Sequence, residues 1–186
     1  MPETRPGLRA TITGTLGVLV VTALVLAGVF LAKGRPDGAG RPEASDPPGT
    51  MAVGAAAPEF KALDVADQPV ILSEARGKGV WLVFQATWCT TCRTELADVD
   101  QAARTGPARV FGIYLRENKA TVADYAERLK IGFPSLPDPN GEIARKYQVT
   151  SVPTHVFIDP QGTIKAVRKG ALSPEQITEN LAAIGG

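Results

Sequence analysis

The chain has 186 residues, a length that suits one ordinary domain with an extension but not two large domains. Its formal net charge is +1, from 20 basic and 19 acidic side chains without a block of like charge, which argues against a nucleic-acid partner. Hydrophobic residues make up 44% of the sequence, so the chain can form a folded core and is not disordered as a whole.

The N-terminal region is predicted to cross a membrane once. The uncharged residues 10–32 lie between Arg9 and Lys33, and their centre is strongly apolar with no polar stripe. At about 1.5 Å per residue, a helix of this length reaches across the ~30 Å hydrocarbon core of a bilayer. A cleaved signal peptide would have a shorter apolar region and a small-residue cleavage site directly after it, whereas Lys33 and Arg35 follow here. We therefore predict an uncleaved signal anchor.

The charges around this span do not fix its orientation. Arg5 and Arg9 precede it, and Lys33 and Arg35 come after it, so the positive charges are nearly balanced. Because a lone span near the start of a chain usually exports the C-terminal remainder, we predict that residues 1–9 are cytoplasmic and that the folded domain is extracytoplasmic.

A flexible linker is predicted between the anchor and the domain. Residues 33–58 are rich in Gly, Pro and Ala and show no apolar periodicity, so they cannot bury enough surface to fold. Random-coil scaling gives this linker a reach on the order of 25–30 Å. The folded domain is predicted to occupy residues 59–186.

Strand-like and helix-like segments alternate in this domain. The short apolar runs at 79–84 and 109–115 are typical of strands buried on both faces. In chain order, the predicted elements are a hairpin over 60–63 and 69–72, a strand over 79–84, a helix over 92–103, a strand over 109–115, a helix from Thr121 as its cap to Gly132, a short helix over 142–147, a hairpin over 155–158 and 163–167, and a last helix opened by the capping box at 173–176. This order predicts an α/β domain with a central mixed sheet flanked by helices.

The only two cysteines, Cys89 and Cys92, form a C-x-x-C pair between a predicted strand and a predicted helix. A cysteine at a helix N-terminus meets unpaired backbone N–H groups and the positive end of the helix dipole, and both favour the nucleophilic thiolate. We therefore predict that Cys89 is the exposed attacking sulfur and that Cys92, buried one turn further on, closes a redox disulfide. The alternative is an inert structural disulfide, although closing so short a loop restrains the unfolded chain little.

Metal and haem sites are disfavoured at this pair. A zinc site needs about four ligands, and His155 is the only other usual soft or imidazole ligand in the chain. His155 alternates with core residues on a predicted strand, and we interpret it as structural. Covalent haem attachment needs a histidine after the second cysteine, where Arg93 stands. No metal and no cofactor are predicted.

Five motifs carry a family resemblance that covers the chain from about residue 53 to the C-terminus. They are Ala57-Pro-Glu-Phe60, Gly77-Lys-Gly-Val-Trp-Leu-Val-Phe84, Thr87-Trp-Cys-Thr-Thr-Cys92, Ser151-Val-Pro-Thr154 and Phe157-Ile-Asp-Pro-Gln-Gly162. Together they resemble the thioredoxin superfamily, and most closely its ResA/TlpA-type branch of bacterial membrane-anchored thiol–disulfide oxidoreductases, which serve cytochrome c biogenesis. The resemblance implies a thioredoxin-like fold.

The resemblance also implies roles for residues near the cysteines. Pro153 corresponds to the family's cis-proline, which faces the two cysteines. A cis bond there would leave the backbone of Val152 free to pair with an extended substrate. The alternative is a trans proline that merely starts a strand. Trp88 is expected to pack over the motif and shape access to Cys89, with a purely core position as the alternative.

A glutamate is implied as a buried acid or base near the sulfurs. The ResA-like branch carries it three residues after the second cysteine, where this chain has Glu95, on nearly the same helix face as Cys92. Ordinary thioredoxins instead carry an aspartate six residues before the first cysteine, where Val83 stands. The alternative is a surface glutamate that merely suits the helix dipole.

The implied function is extracytoplasmic reduction of cysteine pairs in exported proteins such as apocytochromes c, with electrons from a membrane thiol protein. Alternatives are a disulfide oxidase or isomerase, a thiol peroxidase and, outside enzymes, a copper chaperone. Two departures from the family leave the reduction potential, and so the direction of exchange, open: Thr90 and Thr91 lack the proline common beside the second cysteine, and Gln85 replaces an aromatic residue.

Overall fold

The computed structural model describes residues 51–185 of the chain. The predicted anchor over 10–32 and residues 33–50 of the predicted linker over 33–58 lie outside the described residues. The prediction of a flexible linker is wrong for its last residues, because the backbones of Gly54, Ala55 and Ala57 hydrogen-bond to Ile164 and Gly162 of the folded domain. Among residues 51–185, no helix combines the length and the apolar character needed to cross a membrane.

The described residues form seven strands and four α-helices. In chain order they are β1 (Lys61–Leu63), β2 (Pro69–Ile71), a 3₁₀ turn (Leu72–Ala75), β3 (Val80–Gln85), α1 (Thr90–Thr105), β4 (Arg109–Leu115), α2 (Lys119–Leu129), β5 (Ser135–Asp138), α3 (Glu142–Lys146), β6 (Thr154–Ile158), β7 (Ile164–Lys169) and α4 (Pro174–Ala182).

A five-stranded mixed sheet organises the domain, in the spatial order β5-β4-β3-β6-β7. Strand β4 runs parallel to both β3 and β5, whereas β6 runs antiparallel to β3 and β7. The separate hairpin of β1 and β2 is antiparallel. The sequence-based prediction of a mixed sheet with a small N-terminal hairpin is confirmed.

The central strand β3 is buried along its whole length because both faces of the sheet are covered. Trp81 and Val83 belong to a core cluster shared with α1, α2 and α4. Leu82 and Phe84 point to the opposite face, as the alternation of a strand requires, and belong to a cluster shared with α3 and the β1–β2 hairpin. This packing holds the end of β3 in place, and the cysteine loop comes directly after that end.

Both predicted boundaries of the helix that follows β4 are wrong. Helix α2 begins before Thr121 because Asn118 is the cap, with its side-chain oxygen accepting the N–H of Thr121 at 3.0 Å. The helix ends before Gly132, with Lys130 in the left-handed region at φ 54°. Gly132 instead donates its N–H to the Asp100 carboxylate at 2.6 Å.

Strand β5, whose four residues include a proline, was not predicted. Strand β5 lies at the edge of the sheet, where Pro137 removes no central ladder hydrogen bond. The capping box at the start of α4 is confirmed: Ser173 accepts the N–H of Gln176, and the Gln176 side chain accepts the N–H of Ser173.

Candidate active site

The C-x-x-C pair lies where β3 passes into α1. Cys89 is the N-cap residue of α1, and a disulfide joins it to Cys92. The Cys89 sulfur accepts the backbone N–H of Cys92 at 3.0 Å, so the helix N-terminus directs a hydrogen-bond donor at this atom. The same donor would stabilise negative charge on Cys89 once the disulfide is reduced.

Both cysteines are buried in this oxidised form. Cys89 is 6% exposed and Cys92 is 1% exposed. The prediction that Cys89 is exposed is therefore wrong for the disulfide state, although Cys89 is the less buried of the two residues. They form a small apolar cluster with Ala86, against which Val152 packs.

The loop before β6 borders the disulfide. The Val152–Pro153 peptide bond is cis, which confirms the predicted isomer. Strand β6 pairs with β3 so that Thr154 lies opposite Phe84, and this register places Pro153 beside the end of β3. The Pro153 carbonyl accepts the N–H of Gly170 at 2.9 Å, which ties the loop to the end of β7.

Trp88 is 69% exposed. The alternative of a core tryptophan is therefore wrong. Its neighbour Thr87 is fixed instead: the carboxylate of Glu117 accepts both the backbone N–H and the hydroxyl of Thr87. Glu117 is buried after β4 and anchors the loop that carries Trp88 and Cys89. Glu117 was not predicted as a site residue, because no motif or spacing in the sequence distinguishes it.

Glu95 is 3% exposed, so the alternative of a surface glutamate is wrong. Its Oε2 accepts the backbone N–H of Leu172 at 2.8 Å. Its Oε1 has no hydrogen bond among the described residues and lies 3.4 Å from His155 Nε2. Burial raises the pKa of Glu95 from 4.5 to about 7, with the Leu172 N–H opposing the rise and the Asp98 charge adding to it.

His155 faces Glu95 from β6 and is completely buried. Its Nε2 lies 3.2 Å from the carbonyl of Gly170, whereas its Nδ1 has no hydrogen bond among the described residues. Burial lowers the pKa of His155 from 6.5 to about 4, and the Gly170 carbonyl opposes this shift. In the sheet, His155 lies opposite Val83. Val83 occupies the position where ordinary thioredoxins carry their aspartate.

The two shifts reverse the usual order of proton affinity between the groups. In water, histidine holds its proton to a higher pH than glutamate, but here Glu95 retains its proton up to about pH 7 and His155 loses its own near pH 4. The pair therefore holds one proton on Glu95 over this interval. Treating His155 as simply structural overlooked this contact; the available signals were its place two residues after Pro153 and its register with Val83.

The geometry thus combines a disulfide at a helix N-terminus, a cis-proline loop beside it and a buried acid that loses its proton near neutral pH. The acid lies on α1, three residues after Cys92. Such an arrangement can exchange a dithiol for a disulfide and can accept or return a proton as the thiols change state.

Comparison with known proteins agrees with this chemistry. The AhpC/TSA family matches residues 53–167. The thiol–disulfide oxidoreductase ResA of Geobacillus kaustophilus is 31% identical over 137 residues, which cover 72% of this chain and 79% of that protein. ResA of Bacillus subtilis is 26% identical over 138 residues, covering 73% of this chain and 77% of that protein.

A solved structure shares the fold. It is a secreted Mycobacterium tuberculosis disulfide oxidoreductase, described as homologous to E. coli DsbE, and it superposes with a TM-score of 0.61 at 26% identity. The match covers 67% of this chain and 95% of that one. The fold of the described domain is therefore thioredoxin-like, as the motifs implied. The chain belongs to the AhpC/TSA redoxin family and is a thiol–disulfide oxidoreductase related to ResA.

Proposed function

We propose that the chain is a membrane-anchored, extracytoplasmic reductase of cysteine pairs in exported proteins, apocytochromes c among them. The observation that carries this proposal is the placement of the Cys89–Cys92 disulfide at the start of α1, with Glu95 buried on the same helix. The relation to ResA, a thiol–disulfide oxidoreductase, supports the exchange chemistry, and the proposed reductive direction follows the resemblance to the ResA/TlpA-type branch.

The proposed cycle moves two electrons from the reduced cysteine pair to a substrate disulfide. The Cys89 thiolate attacks one substrate sulfur, which forms a mixed disulfide and releases the other substrate sulfur as a thiolate. Cys92 then loses its proton and attacks the Cys89 sulfur, so that the substrate leaves as a dithiol and the Cys89–Cys92 disulfide forms. A membrane thiol protein returns two electrons and two protons to complete the cycle.

In this scheme Glu95 acts as the base for Cys92. Its carboxylate accepts the proton that Cys92 loses before the second attack, and the protonated acid can pass it to the leaving substrate thiolate. A group with a pKa of about 7 suits both directions of transfer near neutral pH. Val152, at the rim beside the cysteines, is proposed to pair through its backbone with an extended substrate, with Pro153 holding the loop and Trp88 shaping the approach to Cys89.

The proposed chain organisation serves this chemistry. Residues 1–9 are cytoplasmic, residues 10–32 form the anchor, and the predicted linker ends before Gly54, where the backbone begins to hydrogen-bond to the redox domain. Haem attachment requires free thiols in a compartment that tends to oxidise them. An anchored domain on a linker of ~25–30 Å stays close to membrane-bound electron donors and assembly proteins, which raises its effective concentration there.

The orientation predicts the behaviour of reporter fusions. Alkaline phosphatase, which is active only outside the cytoplasm, is expected to be active when fused after Gly186. The matched control lacks residues 10–32 and is expected to be inactive, because the fusion is no longer exported. The proposal would be contradicted if the full-length phosphatase fusion were inactive while a reporter that works only in the cytoplasm were active at the same site. That result would place the domain in the cytoplasm.

The target predicts a cytochrome phenotype. Deleting the gene is expected to lower covalently bound haem c, because apocytochrome cysteines remain oxidised, and an added small thiol is expected to restore it. The intact gene should complement the deletion, whereas Cys89→Ser should not. Haem staining of membrane proteins measures the outcome. Normal holocytochrome levels in a deletion strain without a redundant reductase would refute the cytochrome target and leave a general extracytoplasmic reductase.

A further inference from the structure

A groove of about 540 Å³ lies beside the redox site and extends away from the two residues, Trp88 and Val152, that were given substrate-binding roles above. Two of the residues that line this groove connect it to the cysteine pair. Trp88 directly precedes Cys89 in the sequence, and Val152 packs against the cysteine cluster. The rest of the lining includes Leu115 and Arg116 at the end of β4, the N-cap Gly141 and Arg145 of α3, and Val149 in the loop after α3. We call this surface the arginine groove.

Two exposed guanidinium groups converge in this groove. A Cβ atom placed on Gly141 would lie 3.5 Å from Arg145 Nη1 and 3.8 Å from Arg116 Nε, so both side chains reach over the same backbone position. Among the ion pairs of residues 51–185, none involves either arginine. Arg145 donates to the backbone carbonyl of Asn140, which leaves its charge unneutralised by a carboxylate.

The carboxylates nearest in sequence are committed elsewhere. Glu117 is buried and accepts both hydrogen bonds from Thr87. Asp138 is buried and caps α3, where its oxygens accept the N–H groups of Glu142, Ile143 and Ala144. The exposed Glu142 lines a different depression. The residues that line the arginine groove therefore carry two positive charges and no carboxylate, and the groove continues from the rim of the redox site.

We propose that the arginine groove binds an extended, acidic segment of the substrate protein, with a Glu or Asp side chain a few residues from the cysteine that Cys89 attacks. Guanidinium groups bind carboxylates through paired, charge-assisted hydrogen bonds, and two of them in one groove select for such a side chain. The apolar lining residues Leu115 and Val149 accommodate the aliphatic parts of the same segment. This assignment rests on the proposed function, because the groove selects substrates only if Cys89 exchanges with protein disulfides.

The test compares exchange rates on matched peptides. Full-length chain in detergent is reduced and mixed with peptides that contain one disulfide and differ only in the flanking residues, which are two Glu, two Gln or two Lys. The acidic peptide is expected to react about tenfold faster than the lysine peptide, because its two carboxylates make partly screened contacts with Arg116 and Arg145. Raising the NaCl concentration to about 0.5 M is expected to shrink this ratio, because salt screens exposed charges.

Variants connect the ratio to the groove. The double variant Arg116→Gln, Arg145→Gln is expected to bring the acidic-to-lysine ratio close to one, and Arg116→Glu, Arg145→Glu is expected to invert it. Each single variant, Arg116→Gln or Arg145→Gln, is expected to lower the ratio. Their matched control is Arg109→Gln, which also removes one charge, from an exposed residue at the opposite end of β4 from Leu115, and should keep the tenfold ratio. A ratio is informative even if a variant loses part of its overall activity.

The outcomes separate the two proposals. Equal rates on the three peptides, or a tenfold ratio that survives in both double variants, would overturn the acidic-substrate assignment while exchange itself still supports the reductase function. A fall in the ratio for Arg109→Gln as large as that for the groove variants would also overturn it, because net charge alone would explain the preference. Failure to react with any peptide would overturn both.

Discussion

Replacing Cys89 with serine is expected to reduce disulfide exchange by about three orders of magnitude or more, because the attacking sulfur is removed. Cys92→Ser is expected to stop the cycle one step later: the first attack still occurs, but the mixed disulfide is not resolved. The structure supports these two roles. The Cys89 sulfur accepts a hydrogen bond from the N–H of Cys92 at the helix N-terminus, and Cys89 is the less buried of the two residues.

The two variants are distinguished by their products. After incubation with a disulfide peptide, reduced Cys92→Ser should accumulate a covalent adduct visible by intact mass, and Cys89→Ser should form little. Thr90→Ser is the matched control, because it changes the same loop while leaving both sulfurs in place, and it should turn over. An adduct that accumulates on Cys89→Ser but not on Cys92→Ser would exchange the two assignments.

Glu95→Gln is expected to change the pH dependence of exchange. In the wild-type chain the rate of the second attack should rise with pH through about 7, as Glu95 loses its proton and becomes able to accept that of Cys92. The amide cannot take up a proton, so this rise should disappear and the rate near neutral pH should fall. Single-turnover rates from pH 5 to pH 9 measure the effect.

The same substitution should also change how the free energy of unfolding depends on pH. The sign of this change follows from the pKa values of Glu95 and His155. On folding, the pKa of Glu95 rises from 4.5 to about 7 and that of His155 falls from 6.5 to about 4. Between about pH 4.5 and pH 6.5, each state then binds one proton at this pair: Glu95 holds it in the folded domain, and His155 holds it in the unfolded chain. The pair therefore contributes little pH dependence in this window.

In Glu95→Gln only the histidine contribution remains. The unfolded chain then binds more protons than the folded one, so the free energy of unfolding should increase as pH rises from about 4 to 6.5 and decrease as pH falls. The expected change over this window is about 3 kcal/mol, from roughly 1.4 kcal/mol per unit of pKa difference.

Removing His155 instead should produce the opposite slope. In His155→Phe the raised pKa of Glu95 remains, so stability is greatest below about pH 4.5 and is lost as pH rises through about 7. Glu127→Gln, at an exposed residue of α2, is the matched control and should behave as the wild type. Urea titrations at several pH values provide the measurement, and identical slopes in the wild type and Glu95→Gln would contradict the assigned pair.

The sequence predicted the elements with strong local signals. The apolar run 109–115 matches β4 in both bounds, and the capping box predicted the start of α4, because burial on both faces and reciprocal capping leave clear patterns in the sequence. Strand β5 was missed because it is short, contains Pro137 and is defined by its pairing with β4, a contact that local periodicity does not encode.

The site was predictable where motifs specify it and unpredictable where tertiary contacts do. The cysteine pair and the cis bond before Pro153 came from motif and resemblance. The burial of Glu95 against His155 depends on how α1 packs on β6, and the support that Glu117 gives Thr87 joins residues 30 positions apart. Spacing along the chain contains neither contact. The exposure of Trp88 likewise depends on how its loop leaves β3.

The central claim is that Cys89 is the sulfur that attacks. The most direct measurement is peptide mapping by mass spectrometry after the reduced full-length chain has been exposed briefly to a substoichiometric amount of iodoacetamide. We expect the label on Cys89, because it lies at the helix N-terminus and is the more accessible of the pair. Labelling of Cys92 ahead of Cys89 would contradict the claim.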